Sequence, residues 1–195
     1  MKSVLISIQP RWCELIASGK KTVEVRKTKP KLEVPFKCYI YCTMPKNKHD
    51  NLVLTPFGYD VGSESSYCNY VGNSNGKVIG EFVCDRIIHS FLNNNDGWFV
   101  ECGCLTQKEI DEYQGDKAIL YGWHISNLKI YDKPRELSGF YMYCGDNPKC
   151  DGCEAHYFSN TECGKEDYCC SPIEGCKPLK RPFQSWGYVE REYTE

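Results

Sequence analysis

The chain reads as a mainly β protein with short helices (α+β), a small, partly closed β-barrel carrying a cysteine-rich, zinc-stapled insertion. Three observations predict this. Short runs of Val, Ile, Tyr and Phe recur between Gly, Pro and Asn, and helix formers are sparse. Apolar residues make up 41% of the 195 and aromatics 13%, enough for one large core. Seven of fourteen cysteines fall between residues 144 and 176, among many Gly, Asn, Asp and Pro. The barrel is therefore assigned to residues 1–143 and 178–195, and the insertion to 144–177.

The elements follow in order. Ser3–Ile8 alternates as a strand, and Pro10–Ser18 is a short amphipathic helix. Pro10 suits the first turn, Trp12, Leu15 and Ile16 share a face, and Gly19 stops the helix in a left-handed cap. Thr22–Lys27 is a strand with Thr22, Glu24 and Arg26 on one side and Val23 and Val25 on the other. Phe36–Thr43 is a strongly apolar strand. Residues 44–76, with Pro45, Pro56 and many Asn and Ser, read as a long loop. Lys77–His89 is a long strand in which Gly80 marks a bend or bulge. A turn at 93–97 follows, then a capping box at Thr106 and Glu109 opens a helix to about Tyr113. Tyr121–Tyr131 is a strand closed by Asp132-Lys133-Pro134, and the last strand runs over residues 184–190.

Gly19-Lys20-Lys21-Thr22-Val23-Glu24-Val25-Arg26 gathers two lysines, a threonine, a carboxylate and a guanidinium at one turn and strand start. Such a group would hold an anionic or polar planar ligand, or activate water. The residues alone equally allow a solvated strand face with charge pairs. The net charge of −2 carries no global signal for nucleic acid, but its distribution does. Residues 20–37 contain seven lysines and arginines against two glutamates, a local balance of +5 that leaves −7 for the rest. A basic patch on an acidic chain points to a phosphate-bearing partner.

The N-terminal apolar run at Val4–Ile8 is too short for a signal peptide's hydrophobic region. No segment approaches the roughly 20 apolar residues that span a bilayer. These features predict a soluble, cytoplasmic protein. In that compartment thiols stay reduced. Cys13, Cys38, Cys42, Cys68, Cys84, Cys102 and Cys104 mostly sit in apolar runs and read as small buried hydrophobes. The remaining seven, Cys144, Cys150, Cys153, Cys163, Cys169, Cys170 and Cys176, lie in a segment that cannot build its own core. Structural zinc, taking four thiolates, fits this setting better than disulfides. Cys150-Asp-Gly-Cys153 would supply one half of the site, with the other half drawn from the remaining five and His156.

The order strand, short helix, Gly-Lys-Lys-Thr-Val-Glu-Val-Arg, Gly-containing strand and Trp123-His-Ile-Ser-Asn-Leu128 strand resembles the ASCH domain, a PUA-like β-barrel. The closing Pro182-Phe-Gln-Ser-Trp-Gly-Tyr-Val189 looks most like the phage and prophage branch. The resemblance covers roughly residues 1–140 and 180–191. It implies a cleft between barrel and first helix that binds RNA or a nucleotide. It also implies a possible hydrolase, since some small members remove the acetyl group from acetylcytidine. Those use a lysine in this turn, a threonine on the next strand and a glutamate from a later helix. Lys21 matches the lysine; Glu24 stands where the threonine would fall; Glu112 is the candidate helical carboxylate.

Two functions emerge, with a protein-interaction module as a third. In the first, an RNA or nucleotide reader, Lys20, Lys21, Arg26 and Arg11 contact phosphate, Thr22 lines the cleft, and Trp12, Trp123 or Tyr121 stacks a base. Core packing is the competing role for each tryptophan. In the second, an amidohydrolase on a modified nucleoside, Lys21 acts as base or nucleophile and Glu24 or Glu112 positions water. His124 would be a third member, unless it is a packed core histidine.

Overall fold

The computed structural model describes residues 2–44, 74–91, 97–143 and 178–190. Six strands form one mixed sheet: β1 (Lys2–Ile8), β2 (Val23–Arg26), β3 (Phe36–Cys42), β4 (Val78–Phe91), β5 (Ile119–Arg135) and β6 (Trp186–Glu190). Among the described residues three α-helices accompany them, α1 (Pro10–Ala17), α2 (Gly97–Glu101) and α3 (Gln107–Gln114), with a 3-10 turn at Leu137–Gly139. The strand order is β2-β5-β4-β3-β1-β6, and among the described residues only β1 and β3 run parallel. A parallel pair needs a crossover, and here residues 9–35 provide it, carrying α1 and β2.

β1 is buried on both faces, as a central strand should be. Val4, Ile6 and Ile8 enter a cluster with Phe36, Ile40, Phe82 and Trp123, while Leu5 joins Tyr39, Phe140 and Val189 on the opposite face. A third cluster packs Val23 and Val25 of β2 against Phe99 of α2 and Ile110 of α3. Cys13, Cys38, Cys42 and Cys84 are buried thiols, as their apolar runs imply. Burial pushes the Cys13 and Cys38 thiols well above their usual range.

The structure revises the expected closure. The sheet is open: β2 and β6 are its two edges, and among the described residues no backbone pairing joins them. Side chains bridge the gap instead. The Trp186 indole donates to Thr28 Oγ1 at 3.0 Å, and the Lys31 N–H donates to the Tyr188 hydroxyl at 2.7 Å. The four residues of β2 pair with β5, and among the described residues the other edge of β2 carries no ladder. The segment between β2 and β3 fills the space.

Other boundaries match closely. Gly19 has φ +74°, the predicted left-handed cap, and Thr106 and Glu109 form the reciprocal capping box. β5 continues through Pro134 to Arg135, where a turn was expected, because β4 still pairs with it at Val78↔Arg135. Helix α2 has no sequence precedent, being only five residues long. Most of the loop expected at 44–76, the turn residues before Gly97 and the whole insertion 144–177 lie outside the described residues. With the insertion go Cys144, Cys150, Cys153, Cys163, Cys169, Cys170, Cys176 and His156. Among the described residues no helix is long and apolar enough to cross a membrane.

Gly80 sits at a register shift between β4 and β5. A Cβ there would collide with the Lys129 carbonyl oxygen and approach Ile130 Cα at 3.1 Å. Backbone cannot yield as a side chain does, so Gly80→Ala should destabilise the chain by about 1–3 kcal/mol. A urea midpoint equal to the parent's would contradict this packing.

Candidate functional site

The helix end delivers the first functional group. After Gly19 turns the chain, the Lys21 N–H donates to the Leu15 carbonyl at 2.9 Å, tying Lys21 to the last turn of α1. The Thr22 and Val23 N–H groups both donate to the Cys102 carbonyl, at 2.9 and 3.0 Å. The Lys21 ammonium reaches the next residue of that loop and donates to the Gly103 carbonyl at 2.6 Å. Only glycine fits at 103, because a Cβ would collide with the Phe99 carbonyl oxygen. The loop after α2 is therefore a backbone clamp on the start of β2.

Along β2 the alternation puts Glu24 and Arg26 on the face away from the Val23–Val25 cluster. Glu24 lies opposite Trp123, and Arg26 opposite Tyr121. Glu24 Oε1 pairs with Arg26 at 2.8 Å, and Oε2 with the Lys21 ammonium at 3.5 Å. Arg26 extends further, donating to the Ser7 carbonyl at 2.7 Å and to Ser185 Oγ at 3.2 Å. It thus spans from β2 to β1 and to the residue before β6, across the open seam. Lys21, Glu24 and Arg26 are only 3%, 5% and 8% exposed. The group is a buried trio with a net charge of +1, not a solvated strand face.

Two buried N–H donors on this side have no partner among the described residues, Arg26 Nε and Trp123 Nε1. Both belong to the face that carries Glu24, since opposed residues of paired strands share a face. Buried donors without acceptors are uncommon, and each leaves a hydrogen bond to be completed.

Trp12 is half-buried on α1, with the Lys21 ammonium 5.0 Å and the Arg11 guanidinium 4.2 Å from its ring centre. Arg11 is exposed and pairs with Glu109 at 2.9 Å, joining α1 to the capping box of α3. The Thr106 N–H and hydroxyl, then Arg11, hold the Glu109 carboxyl below its usual range. Lys20 is exposed beside the site, and Thr22 is half-buried with its backbone committed to Cys102.

Other sequence candidates fall elsewhere. Trp123 is fully buried between Phe36 and Trp186, at 5.8 and 5.7 Å, and has no free face for a base. Glu112 is exposed on α3, 3.9 Å from Lys108, and the structure does not bring it to Lys21. His124 lies opposite Val23, on the other face, where Nδ1 meets Asp85 at 2.6 Å. That hydrogen bond draws the Asp85 carboxyl below its ordinary range. The carbonyls of Gly103 and Ser7 were not foreseen, since a backbone acceptor has no residue signature. Ser185 was within reach of sequence reasoning, as it adjoins Trp186. Among the described residues no group of three or more Cys, His, Asp and Glu is placed to hold a metal ion.

An open mixed sheet with a helix-capped lysine turn against its edge defines a PUA-like fold of the ASCH type. The family profile for the ASCH domain matches residues 6–191, and the chain belongs to that family. Among solved structures it is similar to the crystal structure of ASCH from Zymomonas mobilis, with 19% identity and a TM-score of 0.50. That match covers 69% of this chain and 73% of the other. A Tyr-to-Phe mutant of the same Zymomonas mobilis protein also aligns, with 19% identity and a TM-score of 0.48, over 70% of this chain and 77% of that one. At this identity the likeness is one of fold. No curated protein matches the chain.

Among the described residues Glu24 is the carboxylate that both buried cations share. Glu24→Gln keeps the shape and removes the charge, and should cost about 3–5 kcal/mol, the usual loss when a buried charge is left unpaired. Chemical denaturation of parent and variant measures it. An unchanged midpoint would mean that the carbonyls of Gly103 and Ser7 suffice to hold both cations.

Proposed function

We propose that this chain binds RNA or a nucleotide, and that the seam around Lys21, Glu24 and Arg26 receives the ligand. The observation that carries this reading is the buried trio itself: it holds one more positive charge than negative, beside two unpartnered N–H donors. A phosphate oxygen or a base carbonyl would supply both the missing charge or dipole and the missing acceptor. The half-buried Trp12 offers an aromatic surface next to the lysine, and stacking on such a ring contributes roughly 1–3 kcal/mol per base. Lys20 and Arg11 are exposed cations flanking it.

The hydrolase reading has less support. It needs a carboxylate beside Lys21 that is available to water, but Glu24 is taken up by two cations and Glu112 is elsewhere. From the closing 182–189 segment we also place the chain in the phage and prophage branch. From the Cys150-x-x-Cys153 spacing we assign structural zinc to the 144–177 insertion; metal analysis well below about one equivalent per chain would refute it.

Calorimetry with uridine and cytidine monophosphates tests the binding reading. Trp12→Ala should weaken binding by about 5- to 150-fold, the equivalent of roughly 1–3 kcal/mol. Lys21→Ala should weaken it comparably, while leaving Glu24 and Arg26 paired one to one. Equal affinities for parent and both variants would overturn the reading. Turnover of acetylcytidine that disappears in Lys21→Ala would replace it with the hydrolase.

A further inference from the structure

We propose that the segment Lys27-Thr28-Lys29-Pro30-Lys31, which straps the open seam, is a phosphate track for a single nucleic-acid strand whose one nucleotide occupies the site above. The inference rests on the nucleotide reading and extends it from a nucleotide to a strand. The strap is fixed at intervals by the residues it crosses. Thr28 Oγ1 accepts from the Trp186 indole, Pro30 is buried, and the Lys31 N–H donates to the Tyr188 hydroxyl. The intervening lysines are thereby turned outward. Lys29 and Lys31 are exposed and Lys27 is half-buried. Lys27 lies 5.0 Å from the Tyr113 ring centre of α3, and Lys29 lies 5.9 Å from that of Tyr121 in β5.

Counter-charges distinguish these three lysines from four others in the molecule. Lys21, Lys37, Lys77 and Lys108 each have a carboxylate partner. Among the described residues, Lys27, Lys29 and Lys31 have none, and the carboxylate closest in sequence, Glu33, is itself exposed and unpaired in the ion pairs described. Three uncompensated ammoniums on a short strap repel one another and set up a local positive field that a polyanion would relieve. Alternate residues of a chain lie at most about 7 Å apart, a step comparable to that between successive phosphates of an extended strand. The strap begins directly after Arg26, so its lysines follow the buried trio along the chain.

Lys27, Lys29 and Lys31 bear no structural contact through their ammoniums beyond ring faces, so replacing all three with Ala should leave the urea midpoint in place. Binding of a labelled oligouridylate is then measured against salt, with uridine monophosphate binding measured in parallel. Loss of three single-strand phosphate contacts should make the log–log salt slope shallower by about 2, with mononucleotide affinity unchanged. An unchanged slope would overturn the track. So would a matching fall in mononucleotide affinity, or three-lysine-dependent retention on anionic vesicles without oligouridylate binding. Should Lys21→Ala leave mononucleotide affinity unchanged while the triple variant still flattens the slope, the site reading fails and the track stands.

Discussion

The three-way demand on Arg26 is the constraint on which the seam depends. An open sheet has two edges, and here the edges face one another without a backbone ladder between them. A side chain must cross the gap, reach a backbone carbonyl on β1 and a hydroxyl before β6, and still satisfy a carboxylate on its own strand. Arg has five donors in a rigid planar fork and can do all three; Lys, with a compact point charge, cannot. Glu24 is the necessary counterpart, since a guanidinium this deeply buried is costly without a carboxylate. The Lys21–Glu24 contact, at 3.5 Å, is the looser of the two. It leaves the Lys21 ammonium bound most closely to a carbonyl, the better acceptor to surrender to a ligand without collapsing the seam.

A fold optimised for stability alone would put apolar residues at these positions. Replacing buried ion pairs by well-packed hydrophobic groups is often neutral or stabilising. This chain instead buries three charges, leaves one of them uncompensated, and strands two N–H donors beside them. Local rules broken together at one place, while capping and alternation hold elsewhere, are the pattern expected of a functional site.

How much of this was legible depended on whether the signal sat in side chains or in backbone. The Val23/Val25 against Glu24/Arg26 alternation, the Gly19 cap and the Thr106–Glu109 box are side-chain patterns, and each appears where the sequence places it. The depth of burial of Glu24 and Arg26 was not legible, because an alternating charged face looks the same in water as in a seam. Nor was the clamp made by Gly103 and Cys102, whose carbonyls come from a loop about 80 residues away and leave no residue signature. Closure was misjudged for a related reason. Strand count suggested a barrel, but it does not say whether the two edge strands pair, and among the described residues β2 pairs with β5 alone. Glu112 was a plausible carboxylate only while the direction of α3 was unknown; its exposed face points it to Lys108.

The overall acidity of the chain does not argue against a polyanionic partner. At physiological ionic strength the field of an exposed charge is screened beyond about 8 Å. An approaching phosphate therefore responds to the charges within a turn or two of the strap, not to the sum over the protein. Within that range lie Lys27, Lys29 and Lys31, backed by a trio that is itself net positive and, being buried, is screened far less. The balance of −7 in the rest of the sequence would, on that reading, disfavour indiscriminate binding of nucleic acid elsewhere. On the proposed reading, a basic segment in an otherwise acidic sequence would direct a polyanion to the strap, beside the unpartnered donors.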